Sequence, residues 1–191
     1  MHEHLTPRQH EIIETARRIL ESEGPDALTM RRLASEIGIQ APSLYKHVKD
    51  KSALEVLLIE IGFTELAEAC EAIRPEDEVD PLFQLAKVYR TYALAHPHLY
   101  RLLTAGPLPR EQLRPGVEAR AALPVVEIAG DPDLARALWA FAHGMVILEL
   151  DGRFPAGADL DAAWKTGISA FIAGRNELSV ASGLGSPGGS R

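Results

Sequence analysis

Only one cysteine, Cys70, stands in the 191-residue chain, and a lone thiol excludes an intramolecular disulfide framework. Long apolar runs are missing too. None approaches the roughly 20 residues needed to cross a bilayer, so no membrane partner is expected. The opening MHEHLTPRQH lacks the charged-then-apolar layout of a secretory signal, which points to the cytoplasm. Alternating runs of β-branched residues, the mark of half-buried strands, do not occur, and no internal repeat is visible. The chain also lacks HExxH and CxxC spacings, a Ser-His-Asp order, a phosphate loop and GxGxxG. His96 and His98 point apart, and the spacing of His143 and Glu149 does not share one helix face. No metal, cofactor or enzymatic activity is therefore expected.

What is present is helical periodicity, with 46% hydrophobic residues to fill a core, and it predicts an all-α fold of about nine helices. Thr6-Pro7-Arg8-Gln9 offers an N-cap, a proline at the first helical position and a Gln at N3. Ile12, Ile13, Ala16, Ile19 and Leu20 then line one face as far as Gly24. Thr29 caps a second helix that turns Met30, Leu33, Ala34 and Ile37 inward, and Gly38 ends it. A third begins near 40–42. Asp50 or Ser52 caps a long fourth helix reaching about Ile73, with Leu54, Leu57, Leu58, Ile61 and Leu66 as its stripe. After the charged connector RPEDEVDP come a helix in PLFQLAKVYRTYALAH, a short one after Pro97 and an irregular stretch at 105–116. A helix through about Ala129 and two strong ones at 132–150 and 159–175 complete the series. The Gly/Ser-rich tail has no apolar face and is expected to be disordered. The expected division is 1–51, 52–178 and a tail at 179–191.

The net charge of −7 is uneven. All of the acidic excess lies beyond residue 51, whereas residues 27–51 carry five Lys/Arg against two acidic groups, a locally positive field. In that segment Leu44 and Val48 point one way while Ser43, Lys46 and His47, at i, i+3 and i+4, point the other. Two short helices joined at Gly38 have the plan of a helix-turn-helix, whose second helix enters the major groove of DNA. Lys46 can donate to guanine, and the Ser43 hydroxyl can donate or accept. Arg31, Thr29 and Lys51 are placed for bases or phosphate. The alternative is a helical small-molecule-binding protein without DNA activity, its basic segment a solvated face.

Leu28-Thr29-Met30-Arg31-Arg32-Leu33-Ala34, then Ile37-Gly38-Ile39-Gln40-Ala41-Pro42-Ser43-Leu44-Tyr45-Lys46-His47-Val48 and Lys51-Ser52-Ala53-Leu54, resemble the DNA-binding domain of the tetracycline-repressor (TetR) family of bacterial regulators over roughly residues 8–60. By that resemblance Arg31, Ala41, Pro42, Ser43 and Lys46 face bases, and Thr29, Tyr45, His47 and Lys51 hold the phosphate backbone. Gln40 stands where many relatives carry a capping Ser and joins the DNA-binding set.

The resemblance further implies a carboxy-terminal helical domain that dimerises and holds a ligand pocket. ALWAFAHGMVILELDGRF, with Trp139, His143 and Gly144, resembles the WHG-type domain of part of the family, with TYALAHPHLYRLL as its companion. Helix 132–150 is apolar on two faces, as is 159–175, and such helices need two partners. Leu134, Leu138, Phe141, Met145, Trp164, Ile168, Phe171 and Ile172 are the expected dimer residues, in a four-helix interface across a two-fold axis. Phe63, Leu66, Tyr89, Tyr92, His96, Leu99, Leu103, Trp139 and His143 are the pocket candidates. The implied function is that of a homodimeric transcriptional repressor on a pseudo-palindromic double-stranded operator, released by a small-molecule effector through helix four.

Overall fold

In the computed structural model residues 5–73 and 79–184 are described, with side chains to Val180, and among them there is no strand. The all-α expectation holds, in nine helices among the described residues. They are α1 (Pro7–Glu23), α2 (Met30–Ile37), α3 (Ala41–Leu44), α4 (Lys51–Glu71), α5 (Pro81–Ala95), α6 (Pro97–Thr104), α7 (Val117–Ala129), α8 (Pro132–Leu150) and α9 (Leu160–Leu184). Most of the acidic connector lies outside the described residues.

Capping chemistry starts and stops the first helices. Thr6 Oγ1 accepts from the Gln9 amide at 3.3 Å while Gln9 Oε1 accepts from the Thr6 amide at 3.0 Å, a reciprocal box. Thr29 Oγ1 accepts from the Arg32 amide at 3.1 Å, and Gly38 ends α2 at φ 75°, ψ 29°, a left-handed conformation that glycine takes without strain. Asp50 Oδ1 accepts from the Ala53 amide at 2.8 Å and so caps α4.

The chain forms two compact units, each of which takes in part of α4. The amino-terminal unit runs to Leu66 and takes in Ala95–Arg120. Its core joins Ile12, Ile13, Ile19, Leu33, Leu44 and Leu54 to Leu99 and Leu103 of α6. Two ties bring α6 there. The Glu21 carboxylate of α1 accepts from the amides of Leu99 (2.9 Å) and His98 (3.3 Å), capping a helix whose own N-cap residue, His96, makes no side-chain cap bond. Gly62 of α4 lies so close to Leu103 that a Cβ there would overlap the leucine methyls. The 105–116 stretch is fastened to α4 as well. Arg114 donates its amide and its Nε to the buried Glu60 carboxylate at 2.5 and 2.7 Å, and Leu113 and Val117 pack on Val56 and Ile59.

The second unit comprises Ala67–Leu94 and the residues from Ala121 on. Its buried stripes are Leu82, Leu85, Ala86, Tyr89 and Ala93 on α5, Ala135, Leu138, Ala142 and Val146 on α8, and Trp164 and Ile168 on α9. Gly167 admits the Phe141 ring against the α9 backbone, and that ring meets Trp164 edge-on, with centroids 5.7 Å apart. Arg90 donates to both oxygens of Glu149 at 2.9 and 2.8 Å and to Asp161 at 2.5 Å, and its guanidinium lies 5.7 Å from the Trp164 ring centre. Helix α9 continues to Leu184, so residues 179–184 are helical where a disordered tail was expected; the remainder of that tail lies outside the described residues.

Candidate nucleic-acid interface and effector region

The second helix of the motif is a single turn, Ala41–Leu44, extended by a turn in which the amides of His47 and Val48 donate to the Leu44 carbonyl at 2.9 and 3.1 Å. Pro42 needs no hydrogen-bond acceptor so early in a helix, and Gln40 makes no side-chain cap bond. Leu44 is 0% exposed and Val48 3%, both within the amino-terminal core. That burial fixes the direction of everything between and around them. Thr29, Arg31, Gln40, Pro42, Tyr45, Lys46 and His47 are exposed, Tyr45 at 51%, and Ala41, Ser43 and Lys51 are half-buried.

Electrostatic partners sort these side chains further. Arg32 is held by Glu36 and by Glu23 (2.9 Å), and Glu36 also accepts from Arg18 at 2.7 Å, a network tying α2 to α1. Donation to Glu36 first, then to Glu23, keeps the Arg32 guanidinium charged still further above its ordinary range. Its neighbour Arg31 has no such partner, and the side chains of Lys46 and His47 have none either among the described residues. Those groups are free for phosphate or base edges. Thr29 uses its oxygen as the cap acceptor, which leaves its hydroxyl proton to donate. Lys51 donates to the Pro25 carbonyl at 3.3 Å and lies 3.7 Å from Glu55, so a phosphate would draw it from a weak perch.

The expected ligand-pocket residues are distributed over both units. Phe63, Leu66, His96, Leu99 and Leu103 belong to the amino-terminal unit, and Tyr89, Tyr92, Trp139 and His143 to the other. Leu99 and Leu103 are corrected to core residues, because the Glu21 cap and the Gly62 approach seat α6 in the amino-terminal core. Trp139 does not point inward but is 53% exposed. His143 sits 6.1 Å from the Trp139 ring and, partly buried, has its pKa lowered by desolvation. One cavity of about 360 Å³ opens beside the reading turn, lined by His47, Lys49, Glu60 and Arg114 among others. Another of about 800 Å³ lies between α5 and α9 in the second unit. Neither is lined by any of the nine candidates.

The dimer candidates divide likewise. Leu138, Trp164 and Ile168 are buried inside the protomer and are corrected to internal packing, because the inner stripe of α8 runs through 135, 138, 142 and 146. Leu134, Phe141, Met145, Phe171 and Ile172 are half-buried. The exposed large apolar side chains of this layer are Trp139 and Leu148 on α8 and Leu178 and Val180 on α9.

A basic, unpaired face on an apolar-anchored turn after a Gly-ended helix defines a helix-turn-helix DNA-binding regulator. Residues 12–55 match the model for bacterial regulatory proteins of the tetR family, and residues 82–171 match the tetracyclin repressor-like C-terminal domain. An HTH-type transcriptional regulator of Mycobacterium tuberculosis is 31% identical over 188 residues, 92% of this chain and 84% of its own. A Rhodococcus sp. RHA1 protein of solved structure superposes with a TM-score of 0.76 at 27% identity, covering 90% of this chain and 96% of that one. The Streptomyces coelicolor TetR family protein ActR, in complex with (S)-DNPA, does so at 0.64 and 26%, covering 88% and 96%. The chain belongs to the tetracycline-repressor family of bacterial regulatory proteins, whose members are DNA-binding regulators rather than enzymes. Among the described residues no helix is long and apolar enough to cross a membrane.

Proposed function

We propose that the protein is a homodimeric repressor acting in the cytoplasm, which holds a pseudo-palindromic operator and releases it when a small molecule binds the carboxy-terminal unit. One observation carries this reading: Leu44 and Val48 are buried while Arg31, Lys46 and His47 stand exposed and unpaired around them. Arg31, Ala41, Pro42, Ser43 and Lys46 read bases, and Thr29, Gln40, Tyr45, His47 and Lys51 hold the backbone. The outer faces of α8 and α9, with Trp139 and Leu148, form the dimer contact. Half-sites about 34–36 Å apart, one helical turn, require both reading turns at a fixed separation, so a change in that separation costs both halves their register. The ActR complex, a relative with a bound small molecule, supports release by an effector.

Selection of operator sites from a random DNA pool tests the reading. The native dimer enriches a two-fold related site, and Tyr45→Ala and Lys46→Ala each bind it roughly 10- to 100-fold more weakly with the dimer intact. Enrichment of no site, or normal binding by both variants, refutes it.

A further inference from the structure

The 800 Å³ cavity of the second unit is an open groove large enough for a small organic molecule, and its walls specify which kind. Positions 83, 87 and 94 recur at helical spacing on one face of α5, and 165 and 168 do so on α9. On the same edge of α9, Trp164 lies between the cavity and Phe141 of α8, whose ring is 5.7 Å away. The apolar wall is Phe83, Leu94, Trp164 and Ile168.

Charge decides the rest. Arg90 and Asp161 also line the cavity, but Arg90 is answered twice, by Glu149 and by Asp161, so that triad carries one net negative charge. Lys87 and Lys165 line the same cavity, are exposed, and have no hydrogen-bond or ion-pair partner among the described residues. The two ammonium groups outweigh that charge by one, so a net positive charge borders an apolar surface. The indole N–H of Trp164, a residue of the same lining, is buried with no acceptor, an uncommon state for a buried polar group in a finished core. A neutral apolar ligand would gain nothing from the two lysines, a cation would be repelled by them, and a bare inorganic anion would leave the apolar wall wet.

We propose that this cavity is the effector site and that it takes an amphipathic carboxylate, its hydrocarbon or aromatic body against Phe83, Leu94 and Ile168 and its carboxylate toward Lys87 and Lys165. The assignment rests on the effector-released repressor proposed above and names the site and the ligand class that the reading left open.

Calorimetric titration of the full chain, without DNA, with decanoate, decanol and acetate tests it. Decanoate binds saturably, once per protomer, about tenfold or more tighter than decanol, and acetate gives no binding. The double variant Lys87→Ala, Lys165→Ala changes only exposed side chains and loses at least about tenfold for decanoate while its decanol affinity stays put. Absence of saturable decanoate binding, equal affinity for decanol, or an undiminished double variant each overturns the site. A second titration, on the operator complex, separates the two claims. Decanoate that binds yet leaves the operator bound overturns the effector role of this cavity, whereas ligand-free protein that binds no operator overturns the repressor reading itself.

Discussion

The reading turn and the α8–α9 layer are built on opposite plans. Around Leu44 and Val48 the apolar groups are inside and the outward groups are cationic or polar without partners. In the α8–α9 layer the strong cation, Arg90, is drawn in and paired, while Trp139 and Leu148 are left outside. A surface of unpaired donors gains by meeting phosphate and loses that gain in salt; a surface of exposed Trp and Leu gains by losing water and does not. One chain therefore carries two binding faces with different physics, one suited to DNA and one to a second protomer.

The sharpest way to break this contrast is to remove an anchor. Leu44→Ala empties a fully buried position and lowers unfolding stability by about 3 kcal/mol, measured by urea denaturation, with loss of operator binding. A drop well under 1 kcal/mol would mean that the turn is not seated in the core. On the proposed dimer face, Trp139→Glu raises the dimer dissociation constant about 30-fold or more in sedimentation equilibrium, since an exposed Trp is a common anchor of an interface. An unchanged dimer would move the interface elsewhere.

A finer contrast lies between two adjacent arginines. Arg31→Ala weakens operator binding about tenfold at an unchanged melting temperature, whereas Arg32→Ala, which unties Glu36 and Glu23, lowers the melting temperature slightly and leaves base discrimination intact. Exchange of those two outcomes would reverse their roles. The smallest effect belongs to His143. Burial lowers its folded pKa below the ordinary 6.5, so the unfolded chain binds the extra proton first. Stability is therefore complete above about 6.5 and falls as pH drops below it, and His143→Gln flattens that limb of the pH–melting curve. A wild-type curve with no such fall would remove the histidine from the account.

The amino-terminal half was readable because its signals are local. Thr6 with Gln9, Thr29 with the Arg32 amide, and Gly38 each act within a few residues, and each does what its spacing implies. The second unit was harder for a definite reason. Helix α8 is apolar on two faces, and which residues turn inward is decided by the helices packed on it, so Leu138, expected on the outward stripe, lies inside with 135, 142 and 146. Distance in sequence hid other features. Glu21 caps α6, Arg114 neutralises Glu60, and Arg90 binds Glu149 across separations that no periodicity reports. The α5 face of Phe83, Lys87 and Leu94 was visible as a pattern. Size and polarity do not separate that face from the tyrosines at 89 and 92, of which Tyr89 packs in the core.

The most direct test of the DNA-reading turn is the salt dependence of operator binding by the native dimer and by Lys51→Ala, from about 50 to 200 mM salt. The affinity of the native protein is predicted to fall steeply and linearly on logarithmic axes, and the variant's slope to be shallower by roughly two, because each protomer of the variant neutralises one phosphate fewer. An affinity indifferent to salt, or identical slopes, would contradict it.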